Sequence, residues 1–373
     1  MSDSLYVGLM SGTSIDSIDA ALIDCQNHQI ALLETHEHAI PATVRQRIAA
    51  LSHSGNNEIE AMGVLDRELG QLFATATLAL LSKSGCAADS IIAIGSHGQT
   101  IRHRPVSAGH SPEHAFTLQI GDPNTIAETT GITTVADFRR RDIAAGGEGA
   151  PLAPAFHAAA FAKPGINRAI VNIGGIANVT LLAGNELCAG FDTGPGNTLL
   201  DQWIERFDGS KYDQDGRWSS QGKAIDQLYR SLMQEEYFAR LGPRSTGKEL
   251  FNMGWLEPHL AQLTEPDPKD VQATLAEVTA QSIAGAIAGA DIRVDEVYVC
   301  GGGARNTDLM RRLYQRISPA ILDSTAVLGM PPEWVEAAAF AWFAYRTIKG
   351  IASNVPIVTG SAGPRVLGGV FCA

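Results

Sequence analysis

Two glycine-containing turns, each lying between two apolar runs, restrict the fold more than any other feature of this chain. The first turn, in "YVGLMSGTSIDSIDAALIDC", lies at residues 11–14, and the second, in "RAIVNIGGIANVTLLAG", lies at residues 174–175. Valine, isoleucine and threonine favour strands, and apolar residues resume directly after each turn. Both segments are therefore predicted to be β-hairpins, and the chain is predicted to consist of two related halves.

The remainder of the chain alternates between helical and strand patterns. Apolar residues recur at helical spacing in residues 59–85, 270–290 and 332–350, whereas 91–96 and 294–300 are short apolar runs. This alternation predicts an α/β fold. The length of 373 residues favours two domains. We place the first at residues 1–132, joined by the terminal segment 362–373, and the second at 133–361.

Composition argues against several classes of partner. The net charge of −12 disfavours nonspecific binding to nucleic acid, which requires clustered lysine and arginine. The five cysteines are scattered and form no C-x-x-C pair, which is more typical of a reducing compartment than of a disulfide framework. No apolar run approaches 18 residues. We expect a cytoplasmic protein with neither a membrane nor a nucleic-acid partner.

The two hairpin turns are candidate phosphate sites. A turn of this kind exposes successive backbone N–H groups, and Gly12 allows a phosphate to approach them closely. Asp16, just beyond the turn, is a candidate Mg²⁺ ligand, directly or through water. An ordinary hairpin turn is an equally good interpretation of the first turn taken alone. The second turn, with Gly174, Gly175 and Asn178, repeats the design, so one triphosphate could be held from both sides.

Two further glycine segments have different interpretations. Gly301, Gly302 and Gly303 follow an apolar run and precede a helical pattern, and we interpret them as a surface for adenosine. The segment "GPRSTGK" at 242–248 matches G-x-x-x-x-G-K, but Glu249 replaces the serine or threonine of a P-loop and no strand precedes it. We therefore predict that it is not a nucleotide site.

Asp192, in "GFDTGPGN", is a candidate general base. It follows a short predicted strand and precedes the rigid Gly194-Pro195-Gly196 turn, where a carboxylate can be held firmly. The alternative is that it caps the helix predicted to follow, a role that Thr193 or Asn197 could also fill.

Other polar residues are weaker candidates. One arginine of the Arg139–Arg141 run could bind a carboxylate as a bidentate fork, and the others could pair with Asp137 and Asp142 on the surface. His97 could bind a ligand or be structural, and Glu336 could be solvated or line a cleft.

Motifs along the whole chain resemble those of one family. They are "GLMSGTSIDSID", "GSHGQT", "LQIGD", "VADFRRRDIAAGGEGAPLAPAFH", "NIGGIANVT", "GFDTGPGN", "FNMGWLE", "DVQATLAE" and "VCGGGARN". Together they resemble the anhydro-N-acetylmuramic acid kinase family, within the superfamily of sugar kinases, heat-shock ATPases and actin. The resemblance implies two duplicated ribonuclease H-like domains with the actin-like ATPase fold and a nucleotide cleft between them. It also implies a homodimer that uses ATP and Mg²⁺ to convert 1,6-anhydro-N-acetylmuramic acid into N-acetylmuramic acid 6-phosphate during cell-wall recycling.

The site residues follow from this resemblance together with the glycine turns. Asp192 is expected to be the catalytic base and to touch the sugar, with Asp16 near the metal. The other expected sugar contacts are His97, Thr100, Arg140 and Glu336. The expected ATP contacts are Gly12, Thr13, Ser14, Ile15, Asp16, Ser17, Ile18, Asp19, Gly174, Gly175, Asn178, Gly196, Asn197, Gly301, Gly302, Gly303 and Asn306. Another sugar kinase and a non-catalytic ATP-binding switch remain alternatives.

Overall fold

The computed structural model describes residues 4–12, 14–26, 29–240, 244–247 and 249–373. The strands, in chain order, are β1 (Leu5–Met10), β2 (Ser17–Gln26), β3 (Gln29–Ala39), β4 (Ile91–Ser96), β5 (Gln99–Arg104), β6 (Phe116–Ile120), β7 (Thr134–Ala136), β8 (Asn167–Ile173), β9 (Ile176–Ala183), β10 (Glu186–Pro195), β11 (Glu296–Cys300), β12 (Ile321–Ser324) and β13 (Gly369–Phe371). The helices are α1 (Ala42–Leu51), α2 (Glu58–Ser84), α3 (Pro123–Thr130), α4 (Arg140–Ala144), α5 (Ala153–Phe161), α6 (Thr198–Asp208), α7 (Asp226–Leu232), α8 (Glu236–Ala239), α9 (Met253–Leu260), α10 (Pro268–Ala288), α11 (Thr307–Ile317), α12 (Val335–Ile348) and α13 (Pro356–Thr359).

The three predicted helices are confirmed as α2, α10 and α12. Helix α2 ends at Gly85, whose φ of 70° is a left-handed conformation that glycine adopts without a steric penalty. Helix α10 begins after Asp267, whose side chain accepts a hydrogen bond from the backbone N–H of Lys269. Within the described ranges, no helix has the length and apolarity needed to cross a bilayer.

The first compact unit comprises the described part of residues 1–160 together with 334–373. Its six-stranded sheet has the order β13-β7-β4-β1-β2-β3. Strands β1, β2 and β3 are antiparallel neighbours, so the first predicted hairpin is confirmed. Strands β4 and β7 continue the sheet in parallel with β1, and β13 closes its edge antiparallel to β7.

The second compact unit, residues 161–333, repeats this arrangement. Its five-stranded sheet has the order β10-β9-β8-β11-β12. The second hairpin is confirmed as β8 and β9, β10 is antiparallel to β9, and β11 and β12 run parallel to β8. The order and directions match those of β3-β2-β1-β4-β7 in the first unit. The chain is therefore an α/β protein with two duplicated ribonuclease H-like units, as predicted.

The units divide the chain at positions that differ from the boundaries placed by sequence. The divisions fall at 160/161 and 333/334, whereas the sequence analysis placed them at 132/133 and 361/362. Strand β7 lies in the first unit because it pairs with β4, and α12 lies there because it packs on β1 and β4. Both had been assigned to the second domain, since neither pairing nor packing over such distances is visible in local patterns.

Glycines in β1 and β4 allow α12 to pack directly on the strand backbones. A Cβ atom at Gly8 would lie 1.9 Å from the carbonyl oxygen of Ala337, and one at Gly95 would lie 1.9 Å from that of Phe340. Alanine-rich α12 meets this requirement because small side chains let backbones approach closely. On its other side the sheet packs on Leu65, Leu69 and other buried residues of α2. The first unit is thus a sheet between two helical layers.

Gly95→Ala should destabilise the first unit, because the new methyl group would overlap a helix backbone that has no room to move. We expect a loss of about 1–3 kcal/mol or more in the free energy of unfolding, measured by urea denaturation. Gly63→Ala is the matched control, since it lies in α2 with no heavy atom within 4 Å of the added Cβ. It should be neutral or stabilising by up to about 1 kcal/mol. Equal stability of the two variants would contradict this packing.

Candidate functional site

Two of the predicted phosphate segments are joined by backbone hydrogen bonds in the second unit. The N–H of Asn197 donates to the Gly174 carbonyl at 2.8 Å, and those of Gly196 and Thr198 donate to the Gly175 carbonyl at 3.0 and 3.1 Å. A Cβ at Gly196 would lie 2.3 Å from the Gly174 oxygen, so this contact requires glycine. The hairpin turn and the start of α6 therefore form one surface.

The third glycine segment lies against the same hairpin. A Cβ at Gly301 would be 2.3 Å from Asn172 Oδ1, and one at Gly303 would be 2.3 Å from the Ile173 side chain. Gly302, in contrast, has only Asn197 Nδ2 near its Cβ position, at 3.7 Å. Gly301 and Gly303 are therefore explained by packing, while Gly302 has space on the side where a Cβ atom would lie.

Three predicted ATP contacts also have structural partners. Asn197 Nδ2 donates to the Ile173 carbonyl at 3.2 Å, and Asn306 Oδ1 accepts from the Leu309 N–H at 2.9 Å, capping α11. Asn178 stands opposite Asp192 on neighbouring strands. The bonds hold the side chains of Asn197 and Asn306 beside the glycine segments, and the role of all three residues toward ATP stays a prediction.

Asp192 lies inside β10, where it pairs with Asn178, and not beyond a strand end as the sequence analysis expected. A β-bulge follows it between Asp192 and Gly194, so the strand continues to Pro195. It does not cap α6, and the alternative cap Thr193 donates instead to the Ala177 carbonyl at 3.2 Å. The Asp192 carboxylate therefore has no role as a cap of α6.

The surroundings of Asp192 favour a proton acceptor near neutral pH. Burial raises the pKa of its carboxyl to about 6, and Glu249 adds to the rise. The Thr246 N–H, the Ser245 hydroxyl and Arg244 oppose the rise because they stabilise the ionised form. A carboxylate with this pKa is ionised at pH 7 and still basic enough to take a proton.

Residues 244–246 contact Asp192, and the sequence analysis did not place them in the site. Ser245 Oγ and Thr246 N donate to Asp192 Oδ2 at 3.2 and 3.0 Å. The sequence had drawn attention to this stretch only as an apparent P-loop, of which Gly242 and Lys248 lie outside the described residues. Helix α8, which extends only over Glu236–Ala239, precedes the stretch, in agreement with the prediction that no strand does so. No local signal links the stretch to a strand about 50 residues earlier.

The first phosphate turn has an open glycine and a strained isoleucine. A Cβ at Gly12 would meet no heavy atom within 4 Å. Ile15 has φ of 60°, unusual for a β-branched residue, and its N–H donates to the Gly12 carbonyl at 3.2 Å. Thr13 lies outside the described residues, and Ser14 is exposed. Ile18 is fully buried in the core, so its side chain does not face a ligand.

The acidic residues that follow this turn in the chain include the predicted metal ligand, Asp16. Asp16 Oδ1 accepts from Arg45 Nη1 at 2.9 Å, and Asp19 Oδ1 accepts from Ser17 Oγ at 3.1 Å. Among the described residues, no group of three histidine, cysteine, aspartate or glutamate side chains could enclose a metal. Mg²⁺ usually takes one or two carboxylates together with water and substrate phosphates, so the exposed Asp16 fits such a partial site.

His97, Arg139 and Glu336 form a cluster in the first unit. Arg139 Nε donates to His97 Nε2 at 3.0 Å, and His97 Nδ1 lies 2.9 Å from the Gly98 carbonyl. Burial and the neighbouring Arg139 hold the pKa of His97 well below its usual value, so the imidazole is neutral. Burial lowers the pKa of Arg139 to about 10, opposed by Glu336 and Asp142, so the guanidinium stays charged. Burial raises the pKa of Glu336, opposed by Arg139.

Two of the three adjacent arginines, Arg139 and Arg140, have different surroundings. Arg139 Nη1 also donates to the Gly149 carbonyl at 2.9 Å, so the planar guanidinium group is fixed in orientation. A guanidinium has five N–H donors, which is more than these bonds use. Arg140, the predicted sugar contact, is exposed and pairs with Asp137 through Nη2 at 2.6 Å. The expected surface pairing of Asp142 is wrong: Asp142 is fully buried and accepts from Asn354 Nδ2 and other neutral groups.

Polar side chains of β5 and β6 form hydrogen bonds within the first unit. Gln119 Nε2 donates to Thr100 Oγ1 at 3.1 Å, which places the predicted sugar contact Thr100 in a polar pair. Ser11 Oγ, in the first phosphate turn, donates to Gln99 Oε1 at 2.6 Å, and both residues are buried. The phosphate turn is therefore bonded to the strand that carries Thr100.

Two duplicated ribonuclease H-like units with glycine turns on matching hairpins are the arrangement of the actin-like ATPase fold. The sequence profile of the anhydro-N-acetylmuramic acid kinase family matches residues 4–373. Anhydro-N-acetylmuramic acid kinases of Shewanella sp. strain ANA-3 and Saccharophagus degradans are each 50% identical to this chain, and each alignment covers 100% of both proteins. The solved component A of Acidaminococcus fermentans (R)-2-hydroxyglutaryl-CoA dehydratase is 11% identical, with a TM-score of 0.49, covering 92% of this chain and 99% of that one. The chain belongs to the anhydro-N-acetylmuramic acid kinase family.

Gly174→Ala should weaken ATP binding without unfolding the protein. The added Cβ would lie 3.6 Å from its nearest neighbour, the Ile176 carbonyl oxygen, so the fold tolerates it. A phosphate on the turn would lose close approach to the backbone N–H groups. Losing one hydrogen bond to a charged group, about 1.5–3 kcal/mol, corresponds to roughly ten- to a hundredfold in Kd, measured by calorimetry.

Gly285→Ala in α10 is the matched control, because its added Cβ meets only Gln281 Nε2, at 3.9 Å. It should leave the Kd for ATP unchanged. Native affinity in Gly174→Ala would show that the second hairpin turn does not bind phosphate.

Proposed function

We propose that this protein uses ATP to open the 1,6-anhydro ring of 1,6-anhydro-N-acetylmuramic acid and to phosphorylate O6, giving N-acetylmuramic acid 6-phosphate and ADP. The observation that carries the proposal is the position of Asp192. It is a partly buried carboxylate five residues before Asn197, whose N–H is bonded to the Gly174–Gly175 turn. The strand that carries the candidate base therefore leads into residues that are hydrogen-bonded to a candidate phosphate turn. Membership in the family supports the choice of substrate.

The anhydro substrate explains why a kinase of this kind needs a base. O6 is bridged to C1, so it is not a free hydroxyl. A water oxygen bonds to C1 as the C1–O6 bond breaks, and O6 bonds to the γ-phosphorus as the bond from that phosphorus to ADP breaks. The proton that the water loses passes to the Asp192 carboxylate, which is ionised above its pKa.

The remaining residues have binding roles in this proposal. In the second unit the three glycine segments contact ATP, and in the first unit the segment Gly12–Asp19 does so. His97, Thr100, Arg140 and Glu336 contact the sugar, and we include Arg139 because it donates to His97 and its pKa is affected by Glu336. Asp16 would hold Mg²⁺, which would offset charge on the phosphates. We further propose a cytoplasmic homodimer that acts in cell-wall recycling, with no membrane or nucleic-acid partner.

The arginine that binds the lactyl carboxylate of the sugar can be identified with two conservative variants. Arg139→Lys keeps the charge but loses the planar fork, so the KM for the sugar should rise by about tenfold or more while the KM for ATP is unchanged. Arg140→Lys, at the exposed neighbour, should have the smaller effect. A larger effect of Arg140→Lys on the sugar KM would assign the carboxylate to Arg140 instead.

An ADP-release assay tests the function. The anhydro sugar should support turnover at least tenfold faster than N-acetylmuramic acid or N-acetylglucosamine. Asp192→Asn keeps the shape but removes the base, so kcat should fall by about 10²–10⁴-fold with little change in ATP affinity. Faster turnover with an ordinary sugar would indicate another sugar kinase, and ATP binding without sugar-stimulated turnover would indicate a binding switch.

Turnover in ¹⁸O-labelled water tests the route of the reaction. The label should appear at C1 of the product and not in its phosphate, because water attacks carbon and O6 keeps its original oxygen. Label in the phosphate, or near-normal kcat in Asp192→Asn, would rule out the proposed chemistry.

A further inference from the structure

The segment Arg244–Gly247 lies along the free edge of β10. Strand β10 ends its sheet, with β9 as its neighbour, so none of the described strands pairs with its other edge. The Asp192 N–H donates across that edge to the Arg244 carbonyl at 3.0 Å. In return, the Thr246 N–H donates to the Asp192 side chain at 3.0 Å. The segment therefore pairs with the strand at the residue that carries the base.

Arg244 attaches this segment to the rest of the second unit. Its guanidinium carbon lies 5.0 Å from the ring centre of Tyr237 and 5.6 Å from that of Phe191. Its Nε donates to the Asp192 carbonyl at 3.2 Å, and its Nη1 donates to the Tyr237 carbonyl at 3.1 Å. The Tyr237 hydroxyl, itself buried, donates to the same Asp192 carbonyl at 2.8 Å. These contacts hold the backbone of Asp192 from the side opposite β9.

The donors to the carboxylate favour one of its two oxygens. Ser245 Oγ and Thr246 N both donate to Oδ2, at 3.2 and 3.0 Å. Within the part of the chain that the structure describes, these two bonds fix the orientation of the carboxylate plane. A general base needs one oxygen held and the other directed at the proton it removes.

We propose that Ser245 and Thr246 are positioning residues for Asp192: they hold Oδ2 and stabilise the ionised carboxylate, so that Oδ1 accepts the proton of the attacking water. The role of the water rests on the proposed function, whereas the effect on the carboxylate does not. Ser245 acts through its side chain and can be tested by substitution. Thr246 acts through its backbone N–H, which most substitutions retain.

The charged groups around Asp192 influence its pKa, and a substitution of Ser245 does not change them. Glu249 opposes ionisation of Asp192, while Arg244 favours it, and Tyr237 stays neutral because burial raises its pKa. Arg240 lies near the Tyr237 ring, 6.0 Å from its centre. Ser245→Ala leaves all these groups in place and removes one donor to the ionised form. The pKa of Asp192 should therefore rise, and activity at mildly acidic pH should fall.

The test is a direct titration of Asp192 by ¹³C NMR in the full chain labelled at aspartate carboxyl carbons, with Asp192→Asn identifying the signal. Ser245→Ala should raise the measured pKa by about one unit, the shift expected when a hydrogen bond to a charged group is lost. Ser245→Thr keeps the hydroxyl and should restore the native pKa. Ser220→Ala is the control, because Ser220 is exposed and donates to the Arg217 carbonyl.

Kinetics provide the second readout. The acidic limb of the kcat/KM profile for the anhydro sugar should move to higher pH by the same amount in Ser245→Ala, and Ser245→Thr should restore it. An unchanged Asp192 pKa in Ser245→Ala would overturn the proposal, whatever the activity of that variant. A shifted pKa in a protein that never turns over the anhydro sugar would support the effect on the carboxylate while refuting the proposed function.

Discussion

Hydrogen bonds from the start of α6 to the carbonyls of the second hairpin turn are the interaction on which the arrangement of the second unit depends. They join Gly174–Gly175 to Gly196–Thr198, and a side chain at Gly196 would prevent them. Because β10 runs directly into this contact, backbone hydrogen bonds fix the end of the strand that carries Asp192 against the turn. The proposed base and the proposed phosphate surface are thereby linked through the backbone.

In the first unit, the buried carboxylate of Asp142 fixes a loop through hydrogen bonds. Asp142 is fully buried, and it accepts hydrogen bonds from the Gly149 N–H at 2.9 Å and from Asn354 and Thr359 side chains at 2.8 Å. These neutral donors offset the cost of burying its charge. Gly149 in turn accepts from Arg139, which donates to His97. Asp142 thus holds the loop whose Gly149 carbonyl binds the half-buried Arg139.

The apparent P-loop shows how a local pattern and a spatial contact can diverge. The sequence analysis predicted no nucleotide site at 242–248 because Glu249 replaces the serine or threonine of a P-loop and no strand precedes the stretch, and the described residues before it form the helix α8. The same stretch nevertheless contributes Arg244, Ser245 and Thr246 to the surroundings of Asp192. Its glycine and lysine spacing carries no information about this contact. Serine and threonine in an irregular segment are too common to indicate a partner on a distant strand.

Much of the fold was determined by the sequence alone, because hairpins and helices follow from the period of apolar residues and from glycine positions that a few neighbouring residues define. The duplicated hairpins and the three long helices came from such local patterns, which also made Asp192 a candidate base, while its assignment as the catalytic base rested on the family resemblance. Only the tertiary structure decided that Arg139 is the arginine next to His97, that Thr246 binds Asp192, and that Asp142 is anchored by Asn354. These pairs are separated by 42, 54 and 212 residues along the chain. Contacts across such separations depend on how sheets and helices pack, and packing leaves no periodic signal in the residues that it brings together.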